Sequence, residues 1–356
     1  MSNNDINWDH LTALAEELLL PEKGAGGAHS NDLEQIADAL DTLIKDNDWE
    51  GIIRLRELFT GLIARDSIGI HSILQRLTDH ALVAADKLGD IKELAHLYGA
   101  NGHNLHRQGF HLRALEDFSQ AARLYAEIGN EWESLKNYYM TALCERALGH
   151  AAEAQKILGN VLTRTAPDNP WRGNPLTVQS WLARDEGDLV KAEALLRDAL
   201  TLLPKNADPD ILVAGTLADL GEVLGLQGKV EEAHLCFQQS LDLIQKYQGQ
   251  YDRQEARTKM KLAELEMREE KFANALQSLA QADDLISVYG TYRDMLWKIE
   301  LLRAMVFIHQ KKIGSAIRKF RVAKTIYEEL GLPLEGFLQN IADRLKLGAG
   351  FKRVTK

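Results

Sequence analysis

ILVAGTLADLGEVLGLQGKVEEAHLCFQQSLDLIQKY, residues 211–247, is two apolar-periodic segments joined by a short turn at Gln227, Gly228 and Lys229. In the first segment Leu217, Leu220, Gly221 and Leu224 fall at i, i+3, i+4 and i+7, which puts them on one face of a helix. In the second, Ala233, Phe237 and Ser240 make a matching face. The small residues Gly221 and Ala233 stand where two helices would touch most closely. Neither helix can hide its apolar stripe alone, so the pair requires neighbours of the same kind.

The neighbours are there. Leu74, Ala114, Ala154, Ala192, Ala233, Ala275 and Ala316 follow one another at intervals of 40, 40, 38, 41, 42 and 41 residues. Five residues before each of the first five stands a glycine (Gly69, Gly109, Gly149, Gly187 and Gly228), whereas Glu270 and Lys311 occupy that place in the last two. The stretch resembles a tetratricopeptide repeat (TPR). The consensus positions fall on Leu217, Leu220, Gly221, Leu224, Ala233, Phe237 and Ser240, with leucine replacing the consensus tryptophan and tyrosine and Ser240 replacing the last alanine. The resemblance implies an all-α, right-handed α-solenoid of about seven helix pairs, with extra helices at both ends. The period near 40 exceeds the roughly 34 of the commonest TPR and lengthens the helices by about a turn. It is similar to the long-repeat arrays of bacterial peptide-responsive regulators, the maltotriose-responsive transcription activator and kinesin light chains.

In chain order, residues 8–20 form a short amphipathic helix, and 21–30 (PEKGAGGAHS) a glycine-rich linker. Asn31 and Glu34 have the spacing of a capping box for a helix to about Lys45. The organisation expected is an N-terminal helix and linker over 1–30, a capping helix over 31–48, the solenoid over 49–332, and a capping helix with basic tail over 333–356. A second frame for the first repeat pairs 31–45 with 49–65 around Asn47, Asp48, Trp49 and Glu50. The three prolines of residues 165–175 (TAPDNPWRGNP) make a rigid loop, with Asn174 as cap and Pro175 as first residue of the next helix. Pro204 ends the fourth repeat, and Leu334, Phe337, Leu338, Ile341 and Leu345 mark a last amphipathic helix.

The 356 residues are 45% apolar, enough for a large core, and carry a net charge of −10, which argues against nonspecific nucleic-acid binding. Cys144 and Cys236 lie far apart in helical segments and read as reduced core thiols. No apolar run approaches the ~20 residues of a membrane span, and MSNNDINWDH lacks the features of a signal peptide. A cytoplasmic protein is expected.

No catalytic pattern is present: there is no GxSxG and no HExxH, and Val223 and Val230 spoil the one approach to a phosphate loop around Gly228 and Lys229. Asp46, Asp48, Glu50, Gly51, Ile53 and Glu57 match calcium-loop positions of an EF-hand, but Arg54 and the lack of a second hand favour a plain interhelical turn. His103 and His106, near His96 and His111, have no cysteine or carboxylate close in sequence to complete a ligand set. Neither enzyme, metal nor cofactor is expected.

The TPR resemblance implies that the first helix of each pair lines the concave face. Mapped onto the second to fourth repeats, that face holds Arg107, Lys136, Arg146 and Arg184 with His96, His103 and His106, against the single acid Asp185. With Tyr139 and Trp181 as anchors, this patch suits an acidic or carboxylate-bearing peptide segment. The residues that bind chaperone tails in some TPR proteins are absent. In the last two repeats Met260, Met267, Leu301, Leu302, Met305 and Ile308 map to the same face, an apolar groove suited to an amphipathic partner helix or to the chain's own C-terminal helix. The N-terminal helix (Trp8, Leu11, Leu14, Leu18), on its glycine linker, is expected to be able to dock there as a lid. The function implied is a non-enzymatic binding scaffold for a protein or peptide, an adaptor or inhibitory or regulatory subunit, with a sensor of a short signalling peptide or small ligand that changes superhelical pitch as the alternative. Nucleic acid and membrane are not among the partners expected.

Overall fold

The computed structural model describes residues 6–18, 30–60, 71–203, 211–247, 251–287, 293–330 and residue 341. The linker glycines, Gly69, Pro204, the basic tail and all of 334–347 but Ile341 lie outside the described residues. Among the described residues there are sixteen α-helices and no strand. They are α1 (Trp8–Leu18), α2 (Ser30–Asp46), α3 (Trp49–Leu58), α4 (His71–Leu88), α5 (Ile91–Gln108), α6 (His111–Glu127), α7 (Glu131–Ala147) and α8 (Ala151–Arg164). There follow α9 (Gly173–Asp185), α10 (Leu189–Leu202), α11 (Ile211–Leu226), α12 (Val230–Gln245), α13 (Asp252–Arg268), α14 (Phe272–Ser287), α15 (Arg293–His309) and α16 (Ile313–Glu329).

Nine of the described helices stop in the same way. Asn47, Gly89, Gly109, Gly129, Gly149, Gly187, Gly228, Glu270 and Lys311 all have positive φ, between 53° and 88°. After each, the next amide turns back to a carbonyl of the helix just ended: Asp48 N–H to Leu43 O at 2.9 Å, Lys229 to Leu224 at 2.9 Å, Lys271 to Glu266 at 2.8 Å. This is a Schellman closure, which satisfies the orphan carbonyls of a helix end and requires a left-handed residue. Glu270 and Lys311 therefore make the same turn as the glycines, at a conformational cost that glycine avoids. The aspartates Asp48, Asp90 and Asp188 cap the helices that follow, each accepting from an amide three residues on.

The Asp46–Glu57 stretch is such a turn. Asp46 ends α2, Asp48 caps α3, and Glu50, Gly51, Ile53 and Glu57 are helical, so no twelve-residue loop exists to wrap calcium. Two other boundaries differ from expectation. Helix α2 already contains Ser30, so Asn31 is not its cap. A short 3₁₀ turn, Pro170–Arg172, is capped by the Asn169 side chain, and α9 starts directly after it at Gly173, placing Pro175 third in the helix.

The repeating alanines are the contact points within pairs. Ala114, Ala154, Ala192, Ala233 and Ala275 have no exposed surface, and Ala316 and Leu74 nearly none. Opposite Ala233, Gly221 lies so close that an added Cβ would stand 3.1 Å from the Ala233 carbonyl and the Phe237 ring.

The described residues fall into two compact units, one up to Cys144 and one from Glu145 onward, with the boundary inside α7. In the first unit, Leu11, Leu14 and Leu18 of α1 are buried with Ile36 and Leu40 of α2, Ile52 and Leu55 of α3 and Leu77 and Ala81 of α4. The Arg54 guanidinium lies 4.2 Å from the Trp8 ring centre. Helix α1 is thus integral to the N-terminal core, and the expected lid role is not what its apolar face does. In the second unit, α9 to α12 share one cluster around Leu196, Leu220, Leu224 and Phe237. Another cluster joins α13, α14 and α15, and a third joins α15 to α16 with Ile341 packed against it. Neither Cys144 nor Cys236 is in a disulfide, and both are buried.

Candidate functional site

In the first unit, α5 and α7 approach closely where Gly99 meets Asn137; a Cβ on Gly99 would lie 3.2 Å from the Asn137 side-chain oxygen. His103 packs edge-on to Phe118, ring centres 4.9 Å apart. His103 is exposed as a residue, yet partial desolvation of its ring, together with the neighbouring charges of Arg107 and Lys136, pushes its pKa down. His106 turns elsewhere, with its Nδ1 3.5 Å from Cys144 Sγ and its ring 5.0 Å from that of His111. His103 and His106 therefore serve different neighbours. Arg107, Lys136 and Tyr139 are half-buried, and Lys136 pairs with Glu133 at 2.5 Å.

The second unit holds a denser arrangement. The first helices α9, α11 and α13 are joined across one face by polar side chains spaced about one repeat apart. Trp181 Nε1–H donates to Asp219 Oδ2 at 2.7 Å. Arg184 donates to Glu222 at 2.8 Å and to Asp185 at 2.7 Å. Lys261 donates to both Asp219 and Glu222, and Arg257 to Asp219 at 3.1 Å. Arg146, from the last turn of α7, reaches Asp185 at 2.6 Å. Deeper in, the Thr177 and Thr216 hydroxyls meet at 3.4 Å.

Burial sets the electrostatics of this ladder. It opposes the charge on Arg184, but Glu222 and Asp185 more than compensate and leave the pKa above the ordinary arginine value. Burial likewise works to raise the pKa values of Asp219 and Glu222, and their cationic neighbours overturn it. Lys261 and Arg257 hold Asp219 below the usual carboxylate range, and Arg184 and Lys261 do the same for Glu222. Arg146 goes the other way: burial lowers its pKa, and the attraction of Asp185 does not offset this and the repulsion from Arg184 and Arg257.

The sequence-predicted residues therefore divide into three sets. His103, Arg107 and Lys136 sense one another on α5 and α7. Arg146, Trp181 and Arg184 come together in the second unit, but not against a single acid, since α11 brings Asp219 and Glu222 to the same face. These two acids are legible only through repeat register: Asp219 lies 38 residues after Trp181, and Glu222 38 after Arg184. The third set is displaced altogether. Met267 and Met305 are buried in the core of α13, α14 and α15, and Leu301 is buried against Trp297, Ile326 and Tyr327. The apolar groove expected there is filled by the protein's own side chains, and of the residues mapped to it Ile308 is exposed.

Among the described residues no helix is long and apolar enough to cross a membrane. No family model matches the sequence, and no curated protein matches it. Solved structures do. The Rap conjugation gene regulator of plasmid pLS20, in complex with the Phr* peptide, is 14% identical, with a TM-score of 0.57 over 94% of this chain and 98% of that one. A Rap protein complexed with competence and sporulation factor is 12% identical, with a TM-score of 0.59 over 91% of this chain and 99% of that one. The fold is that of a TPR-like, all-α helical-repeat protein.

Proposed function

We propose that this chain is a non-enzymatic scaffold that takes up a peptide or an extended protein segment along the face shared by α9, α11 and α13, as a regulatory subunit. The supporting observation is the ladder on that face. Charged side chains are concentrated where an apolar contact would hold the helices together equally well, and the ladder is partly open to solvent at Arg146, Trp181 and Arg257. The Rap conjugation gene regulator, matched over nearly its whole length, holds the Phr* peptide, which favours a short peptide over a folded partner as the occupant. His103, Arg107, Lys136 and Tyr139 are proposed as a second contact region, in the first unit.

The test is selection of random heptapeptides with a display library on the immobilised full chain, followed by photo-crosslinking of the enriched sequences. The reading requires saturable binding and crosslinks on α9, α11 or α13. Crosslinks confined to the second helices of the pairs, or no enriched sequence, would refute it.

A further inference from the structure

Trp181 is a fixed plate. Its indole N–H is bonded to Asp219, which is itself buried, so the ring cannot turn without breaking an interaction in the core. Two guanidinium groups stand beside that plate, Arg146 at 5.2 Å and Arg257 at 4.8 Å from the ring centre. Arginine stacks on aromatic faces while keeping its N–H edge free for planar anions.

The ladder does not use those edges up. Its members are Arg146, Arg184, Arg257 and Lys261 against Asp185, Asp219 and Glu222, four cations and three carboxylates, which leaves one positive charge in excess. Each carboxylate already serves at least two donors. Arg184 takes Asp185 and Glu222, and Lys261 takes Asp219 and Glu222. Arg146 keeps a buried Nε–H with no hydrogen-bond acceptor, and Arg257 has a single 3.1 Å bond to a shared oxygen. Both side chains also reach solvent, at 26% and 38% exposure, so a ligand can approach them.

We propose that Arg146, Trp181 and Arg257 form the seat for one carboxylate of the bound peptide, placed at the indole between the two guanidinium groups. This rests on the scaffold reading above and adds the chemistry that the scaffold selects. A single carboxylate matches the single excess charge, whereas a polyanion such as nucleic acid would meet the net −10 of the chain. The carboxylate comes either from an Asp or Glu side chain or from the peptide's own C-terminus, and both present the same planar pair of oxygens.

The experiment uses the full chain and heptapeptides enriched on it, each synthesised with a free and with an amidated C-terminus, with affinity read by fluorescence anisotropy. The enriched pool is expected to hold an Asp or Glu at one fixed position, or to lose binding on amidation, and these two arms separate the sources. Arg146→Gln and Arg257→Gln are each expected to weaken binding roughly 10-fold to 100-fold, the value of a charge-assisted hydrogen bond. The double Arg→Lys variant keeps the charge without the fork and is expected to recover only part of the loss. Far-UV circular dichroism checks folding; if Arg146→Gln does not fold, Arg257→Lys alone carries the test, with a loss of several-fold expected. Peptides that bind without acid preference, or equally well to the folded Arg variants, would overturn the seat and leave the scaffold standing. No enriched peptide at all would overturn both.

Discussion

Replacing Asp219 by alanine tests the ladder at its most connected point. The substitution removes the acceptor of the Trp181 indole N–H and the carboxylate shared by Arg257 and Lys261, at a site with 2% exposure. Removing one member of a buried ion pair leaves the others desolvated and costs about 3–5 kcal/mol. Asp219→Asn keeps an oxygen for the indole and loses only the charge, so its cost is expected near 1.5–3 kcal/mol, the worth of a charged hydrogen bond. Repeat arrays can unfold in parts, so urea unfolding by circular dichroism should be accompanied by amide hydrogen exchange of α9, α11 and α13. The pH dependence gives an independent reading. Asp219 and Glu222 have folded-state pKa values below their unfolded ones. The stability they contribute is present above the unfolded carboxylate range, near 4, and is lost as pH falls toward the folded values. The parent should weaken steadily below about pH 5, and Asp219→Asn should weaken less over the same interval. A cost for Asp219→Ala under about 1 kcal/mol, as an exposed ion pair would show, refutes the assignment of the ladder as a buried network.

Three further outcomes are expected. Glu270→Gly and Lys311→Gly relieve left-handed strain at φ 61° and 59° and should each stabilise by roughly 0.5–1 kcal/mol, read as a higher urea midpoint. Gly102→Ala places a Cβ 2.9 Å from the fully buried Phe118 ring and should cost about 1–3 kcal/mol by the same measurement. Asp117, which accepts from Asn101 at 2.7 Å, has its pKa raised by burial to about 6. Protonation therefore favours the folded state, and that stability is complete below about pH 4 and lost as pH rises through 6. Asp117→Asn should remove this step and gain roughly 1–2 kcal/mol at pH 7, discounted for partial solvent access.

The fold was legible because its signals are local and periodic. A small residue is demanded wherever two helices touch, and Ala114, Ala154, Ala192, Ala233 and Ala275 recur there. The turns at Glu270 and Lys311 were less legible, since the left-handed residue is imposed by the closing hydrogen bonds and glycine is only its cheapest occupant. The methionine groove misled because α15 is apolar on more than one side: Trp297, Ile299, Leu301, Leu302, Met305 and Val306 are all buried. A helix apolar all round belongs in a core, and that was the signal available to place Met305 and Leu301 correctly. Partnership across the first helices was the least legible, because Trp181 and Asp219 meet only through stacking 38 residues apart.

That stacking also decides which of the predicted site residues can serve a ligand. Along the ladder exposure falls from Asp185 at 45%, Arg257 at 38% and Arg146 at 26% through Glu222 at 17% and Arg184 at 16% to Lys261 at 10% and Asp219 at 2%. At the deep end each charge has two or more partners and its neutral form is disfavoured, so a ligand would have to break core interactions to compete for it. At the shallow end the donors outnumber the acceptors and burial is incomplete. Arg184, conspicuous in the sequence, belongs with the interactions that hold α9 to α11, and loss of binding on its replacement would not separate recognition from folding. Arg146, Trp181 and Arg257 are the members proposed to meet the ligand, because one indole ring lies within reach of both guanidinium groups.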